Sequence, residues 1–434
     1  MKQRFLNLLK KPVIRNIALL ASGGLMAQLL TFGSMPVITR LFLPEDLGQL
    51  GAFLSILSIT VGIAALSYPI AIVLPKKDEN ARSLVQLSLL ICIGACILTA
   101  ILLFIFNEEL TNLFNLQSIS SYTFIIPLAM FGNVIFIIGG QWMVRKSLFR
   151  TQAVTLFVNA IFVNSAKIVA GYLNPIAIWL ILITVTSFFL QAAVFFFSAK
   201  KIDNNIKLAQ FSMASLKKMA KKYIDFPLYR APEQLLNALT AGLPVLMLAS
   251  QFSAASAGFY TLAISALNAP IMLFKKSVGD VIYPRLSRAV NKNEKLTPML
   301  YKSTLGLVGI SLPVLAVIVM FGPDIFSFIF GNSWRNSGEY AIWLISWLLM
   351  MLINRPSVAI FPVLSIQGVL LVYSIISISI RIGVLWASFV IYNDPLVTVM
   401  FFSLVSVLLN IALILMAIFY SLRHDKKLSK TSAA

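Results

Sequence analysis

Four basic residues lie well inside apolar runs of this chain: Lys167, Arg230, Arg355 and Arg381. An ionisable side chain within a membrane-crossing segment is costly, so it normally faces a cavity or a partner of opposite charge. Arginine suits phosphate because its planar fork donates to two oxygens at once. Together Arg230, Arg355, Arg381 and Lys167 could line a cationic cavity. For each, the structural alternative is to snorkel toward an interface or to pair with a carboxylate.

Three acids share the same kind of segment: Asp225, Glu233 and Asp280. Glu233 stands three residues after Arg230, on the same helix face. That spacing fits a neutralising pair. It also fits a site where Glu233 or Asp225 takes up a proton or Na⁺ during a working cycle, because burial disfavours the charged form of a carboxylate. Asp280 lies four residues from Lys276 and four before Pro284, which suggests a structural pairing or cap.

These residues must be positioned by membrane helices. The chain has 434 residues, of which 59% are hydrophobic and 12% charged, with mean hydropathy +0.90. A soluble domain carries roughly 25% charged residues, and a spanning helix takes about 20 apolar ones. The sequence predicts an all-α polytopic protein of about twelve spans, at 14–42, 47–74, 83–106, 122–144, 151–173, 175–199, 223–250, 256–283, 298–321, 339–361, 366–391 and 395–420. Prolines fall inside many of them, among them Pro36, Pro69, Pro127, Pro244, Pro270, Pro313 and Pro356, which predicts kinked helices around a central cavity. Cys92 and Cys96, within one apolar run, read as membrane-buried thiols.

The net charge is +20. Nucleic acid is excluded as the reason, because all but eight of the 35 basic residues sit in alternate segments between spans, at the N-terminus, in the central linker and in the C-terminal tail. The intervening segments hold Glu45, Asp46, Glu108, Glu109, Asp324, Glu339 and Asp394. Excess Lys and Arg mark cytoplasmic loops, so both termini are expected in the cytoplasm of a bacterial inner membrane. Trp179, Trp334, Trp343 and Trp386 fall near predicted outer ends, as an aromatic belt would place them.

The longest internal hydrophilic stretch, Lys200 to Lys222, divides the chain into six spans and six, with expected lobes 1–205 and 206–434. Residues 208–222 within it could form an interfacial amphipathic helix. The halves carry similar landmarks: Gln28-Leu-Leu, Pro36-Val and Gly48-Gln-Leu-Gly in the first, Gln234-Leu-Leu, Pro244-Val and Gly258-Phe-Tyr-Thr in the second. Two such bundles around a site near mid-membrane would suit a transporter.

Two stretches then carry a resemblance. One runs Pro36-Val-Ile-Thr-Arg-Leu-Phe-Leu-Pro-Glu-Asp-Leu-Gly48 to Tyr68-Pro-Ile-Ala-Ile-Val-Leu-Pro75. The other comprises Tyr223-Ile-Asp-Phe-Pro-Leu228, Gly258-Phe-Tyr-Thr-Leu-Ala263 and Val281-Ile-Tyr-Pro-Arg285. Over essentially its whole length the chain resembles the polysaccharide-biosynthesis flippases, the O-antigen and capsule unit exporters, whose superfamily also contains the multidrug and toxin extruders. The resemblance implies that a lipid-linked oligosaccharide on undecaprenyl diphosphate is moved from the cytoplasmic to the periplasmic leaflet by alternating access. It further implies coupling to H⁺ or Na⁺, no cofactor, and polysaccharide polymerase or assembly proteins as partners.

Two other functions compete. A drug or cation antiporter of the same fold would use acidic lumen residues, whereas here four cations face three acids. A membrane-embedded polymerase or ligase would need a sizeable outer loop, yet the longest expected ones, 107–121 and 322–338, have roughly 15 residues each. The single histidine, His424, falls in the tail. A His-based dyad and a multi-His metal site are thereby excluded.

Overall fold

A computed structural model describes residues 12–113, 117–202, 212–364 and 366–431 of the chain. Every regular element among them is helical: α1 Pro12–Leu41, α2 Pro44–Ala64, α3 Asp78–Leu113, α4 Ile126–Arg145, α5 Phe149–Leu173, α6 Ala177–Ile202, α7 Met213–Lys222, α8 Ala231–Gln251, α9 Ala254–Asn291, α10 Thr297–Phe330, α11 Arg335–Ile353, α12 Arg355–Val363, α13 Gln367–Tyr392 and α14 Pro395–Thr431. Among the described residues, nine helical spans are long and apolar enough to cross a membrane, α11 and α12 counting as one. The remaining three expected spans correspond to α1, α8 and α9. The chain is an all-α, multi-pass membrane protein.

The helices divide into two compact units, residues 1–250 and 251–434. Compactness groups α8 with the first unit, whereas the repeat in the sequence starts the second half before it. In the first unit α1 packs on α5 and α4 on α6, around Phe53, Leu57, Met130, Leu180 and Ile181. In the second, α10 packs on α11 and α14 on both α11 and α13. One of its buried clusters joins Leu286, Leu300, Ile360, Phe361 and Leu413.

The landmarks shared by the halves occupy matching places. Pro36 lies near the end of α1 and Pro244 near the end of α8. Gly48 and Gly258 each fall four residues after the first residue of the next helix, at Pro44 and Ala254. The Pro-Glu-Asp stretch has a physical role at this point. Pro44 opens α2, Glu45 and Asp46 sit in its first turn, and the Leu43 amide donates to Asp46 Oδ2 at 3.0 Å. Proline at the first position and acids beside the positive helix end both favour initiation.

Four local expectations need correction. The span 47–74 is not one helix. It breaks after Ala64 at Leu66 and Ser67, with φ of 47° and 58°, and resumes as the single turn Tyr68–Ala71. The freed carbonyls beyond it are taken up by Arg145, which donates to Ile72 O at 3.2 Å and Pro75 O at 2.7 Å. The same guanidinium holds Asp78 Oδ1 through Nε and Nη2 at 2.9 and 2.7 Å, and Lys146 holds Oδ2 at 2.6 Å.

Second, the two loops expected at 107–121 and 322–338 are shorter than their polarity suggests. α3 continues across a kink at Phe106 to Leu113, and α10 continues through Pro323 to Phe330. Third, the amphipathic helix begins at Met213, capped by the Ser212 hydroxyl, while residues 208–211 lie outside the described ones. Its apolar residues Leu216 and Met219 are buried against protein rather than lipid. The Ser83–Ser215 hydroxyl contact at 2.8 Å fastens it to α3, and a bond from the Tyr68 hydroxyl to Ala220 O at 3.1 Å ties it to the turn after α2.

Fourth, Trp334 is core, not belt. It is 1% exposed and meets Phe259 edge-on, whereas Trp179 and Trp386 are exposed. Three of the seven prolines, Pro69, Pro127 and Pro356, start helical segments and leave no unmatched interior carbonyl.

Close helix approach rests on small residues. A Cβ on Gly338 would stand 2.4 Å from Pro323 Cα and 2.6 Å from Gly322 O, while one on Gly309 would meet nothing within 4 Å. Gly338→Ala should therefore cost about 1–3 kcal/mol by overpacking. Gly309→Ala should be neutral or stabilising, by up to about 1 kcal/mol. Thermal unfolding in detergent checks the contrast; equal midpoints would refute the close contact. Asp78→Ala strands the Arg145 guanidinium, 9% exposed. It should lower the midpoint and open the segment around Lys76 and Lys77 to trypsin, read by mass spectrometry of the nicked chain.

Candidate functional site

In the first unit, Lys167 occupies the second half of α5 and is half-buried. One turn earlier Asn164, 4% exposed, donates to Thr31 Oγ1 of α1 at 3.2 Å and to Ala160 O at 2.7 Å. The α1–α5 contact is polar at that level. Among the described residues, Lys167 has no carboxylate partner.

Arg230 and Glu233 lie where the π-helical turn Phe226–Arg230 passes into α8. Arg230 Nη1 donates to Glu233 Oε2 at 3.0 Å, and both side chains are exposed, at 61% and 50%. The neutralising pair expected from the i,i+3 spacing forms. Asp225 precedes the turn, is exposed, and makes no capping bond. Gln234, next to Glu233, accepts from Ser67 Oγ at 3.2 Å. The left-handed break after α2 thus touches the start of α8.

The second unit is built differently. Arg381 is the fifteenth of the 26 residues of α13. At 1.5 Å per residue it is about 17 Å or more from either end, near the middle of a hydrocarbon layer about 30 Å thick. Its Nε donates to Ser406 Oγ of α14 at 3.1 Å. Tyr260 of α9 and Tyr373 of α13 lie within its electrostatic reach. Among the described residues no carboxylate pairs with it. The Tyr260 hydroxyl, in a side chain 1% exposed, has no hydrogen-bond partner there.

Arg355 opens α12 directly after Asn354, is exposed, and has no ion pair among the described residues. Asn354 is buried and its amide donates to Asn410 Oδ1. Asn410 Nδ2 donates to Ser406 O at 2.6 Å, and the Tyr373 hydroxyl bonds Leu409 O. Arg381 and the residue beside Arg355 are thereby connected to one turn of α14.

The sequence-predicted residues thus fall into separate groups. Arg230, Glu233 and Asp225 cluster around one turn; Lys167 stands apart in α5; Arg381 and Asn354, the residue before Arg355, reach one turn of α14. The side chains of Lys275, Lys276 and Asp280 lie outside the described residues. Sequence reasoning did not single out Asn354, Ser406, Asn410 or Tyr260. The available signal was the Ser403, Ser406, Asn410 spacing in an apolar helix, which sets three polar groups on one face. A groove of about 410 Å³ between α3 and α4, lined by residues such as Ile101, Phe104, Phe124 and Pro127, is apolar and near none of these charges.

Long apolar helices define a polytopic membrane protein, and Lys167, Arg355 and Arg381 have no carboxylate partner among its described residues. Residues 37–339 match the family described as polysaccharide biosynthesis protein, and the chain belongs to that family. It is 21% identical over 332 residues to the succinoglycan biosynthesis transport protein ExoT of Rhizobium meliloti (strain 1021). That match covers 75% of this chain and spans 64% of the relative's length. The fold is that of the lipid II flippase MurJ in an inward closed conformation, with TM-score 0.70, 14% identity and coverage of 95% of this chain and 90% of that one. It is also that of an inward-facing multidrug resistance MATE family transporter of the MOP superfamily, with TM-score 0.65, 14% identity and coverage of 93% and 96%.

If Arg230 and Glu233 act as a neutralising pair, removing one charge should harm more than removing both. Thermal unfolding of Arg230→Ala, Glu233→Ala and the double variant should give a coupling of about 0.5–1 kcal/mol, as exposed pairs do. Strictly additive losses would show the two charges to be independent.

Proposed function

We propose that this protein flips an undecaprenyl-diphosphate-linked oligosaccharide from the cytoplasmic to the periplasmic leaflet of a bacterial inner membrane, with both termini cytoplasmic. The observation that carries this reading is Arg381, a permanent cation near mid-span that is held by a hydroxyl instead of a carboxylate. Such a group is stabilised by an anion that comes and goes, and a diphosphate matches its fork. Arg355, also without a carboxylate partner among the described residues, would extend the cationic lining in the same unit, and Lys167 is a further candidate substrate-binding residue of the first unit. Membership of a polysaccharide-biosynthesis family and likeness to a succinoglycan transport protein support a sugar-bearing cargo.

The cycle would alternate access between the two leaflets. Arg230 would join the lining when its bond to Glu233 opens, and Glu233 with Asp225 would exchange H⁺ or Na⁺ at that step. Polymerase and assembly proteins would receive the exported unit. Export of cationic drugs, the competing function of this fold, calls for unpaired lumen acids. Glu233 is already engaged by Arg230.

A deletion strain should accumulate lipid-linked units on the cytoplasmic leaflet. Restoring the gene with Arg381→Ala should leave membrane insertion intact but cut export at least about tenfold, the value of one lost charge-assisted contact. Arg381→Lys should recover part of it. Labelled surface polysaccharide and topology-resolved lipid extraction are the readouts, and unimpaired export by Arg381→Ala would sink the assignment.

A further inference from the structure

The second unit contains a polar chain that ordinary helix packing does not require. Asn354 donates to Asn410, Asn410 donates to the Ser406 carbonyl, and Ser406 Oγ accepts the Arg381 Nε proton. Asn354, Asn410 and Ser406 are at most 7% exposed. Buried amides that are not satisfied cost stability. Retaining two of them on facing helices has a consequence: their bonds fix the registry of α12 and α13 on one turn of α14.

Guanidinium chemistry gives that registry its meaning. Arginine has five N–H donors, one on Nε and four on the terminal nitrogens. Using Nε as the anchor sets the plane of the fork and leaves the Nη1 and Nη2 edge, which has no acceptor among the described residues. That edge donates to two oxygens in parallel. Nearby, Tyr260 adds a buried hydroxyl that also lacks a partner. At the other end of the chain, Asn354 is the residue before Arg355, at the break where Pro356 supplies no amide.

We infer that Asn354, Asn410 and Ser406 are positioning residues that hold the Arg381 fork edge-on to a diphosphate, and that they tie its orientation to the α11–α12 break carrying Arg355. This rests on the proposed function and adds a device to it. The break in one helix and the aim of the mid-span arginine are set together, so a shift at Asn354 re-aims Arg381 through Asn410.

The test uses full-length protein in nanodiscs and undecaprenyl diphosphate as the probe, with binding followed by thermophoresis and folding by thermal unfolding. Asn410→Ala and Asn354→Ala should each weaken binding about five- to tenfold. Combined with Arg381→Ala, neither should add to the loss from Arg381→Ala alone. Ser403→Ala removes a buried hydroxyl from the same face of α14 that has no partner among the described residues; it should leave binding unchanged, separating aim from packing. If Asn410→Ala does not fold, Asn410→Ser and Asn354→Ala address the same link. Wild-type affinity in the asparagine variants beside weakened binding in Arg381→Ala would overturn the positioning role and leave the proposed function standing. Losses that add to those of Arg381→Ala would also overturn it. Wild-type affinity in Arg381→Ala would remove both.

Discussion

The structure depends most on how it tolerates a guanidinium near the middle of a span. Arginine stays charged under any physiological condition, so neutralisation by proton loss is not open to Arg381. The protein supplies one neutral acceptor, Ser406 Oγ, and two neighbouring tyrosines. A carboxylate at that position would have formed a closed ion pair, costly to break in a low dielectric. A hydroxyl leaves most of the charge unsatisfied. On the proposed reading, the arrangement gives up stability in the empty state and gains attraction for an anion that can later depart.

Backbone satisfaction is the second constraint, and it explains the breaks. Within lipid every amide and carbonyl needs a partner, so irregular backbone survives where side chains provide one. After α2, Arg145 covers Ile72 and Pro75 while Asp78, itself held by Lys146, fixes Arg145. At the α11–α12 break, Pro356 has no amide to leave unmatched, and Asn354 bridges to α14. The C-terminal end of α10 offers an exposed version, with Arg335 on Asp324 at 2.7 Å and Ser327 on Asn332 at 2.7 Å. Each of these three discontinuities has a named polar support nearby.

Helix number and order were legible in the sequence, because hydropathy and charge alternation are separate records of the same topology. The Arg230–Glu233 pair was also legible, since three residues on a helix fix a shared face. What escaped were features set by a partner distant in sequence. The break at Leu66 and Ser67 contains no glycine or proline, and it is held by Gln234, Ala220 and Arg145, each more than 70 residues away. Asn354 and Asn410 look like isolated polar residues until their helices are placed side by side. Trp334 looked interfacial because loop position was the clue available, yet Phe259 and Tyr340 enclose its neighbourhood.

The Arg230–Glu233 turn and the Arg381 site treat their charges in opposite ways. In the first, Arg230 and Glu233 form an exposed pair that carries no net charge by itself. In the second, Arg381 lacks a carboxylate among the described residues and its terminal nitrogens are uncommitted. On the proposed reading this asymmetry divides the labour. An anionic cargo is drawn to the unit whose charge is unanswered. A pair that is already neutral responds to a proton or a cation, because neutralising Glu233 releases Arg230. Binding of cargo at Arg381 and exchange of a coupling ion at Glu233 would then act on different helices. On that reading the two events would be linked through the motion of those helices.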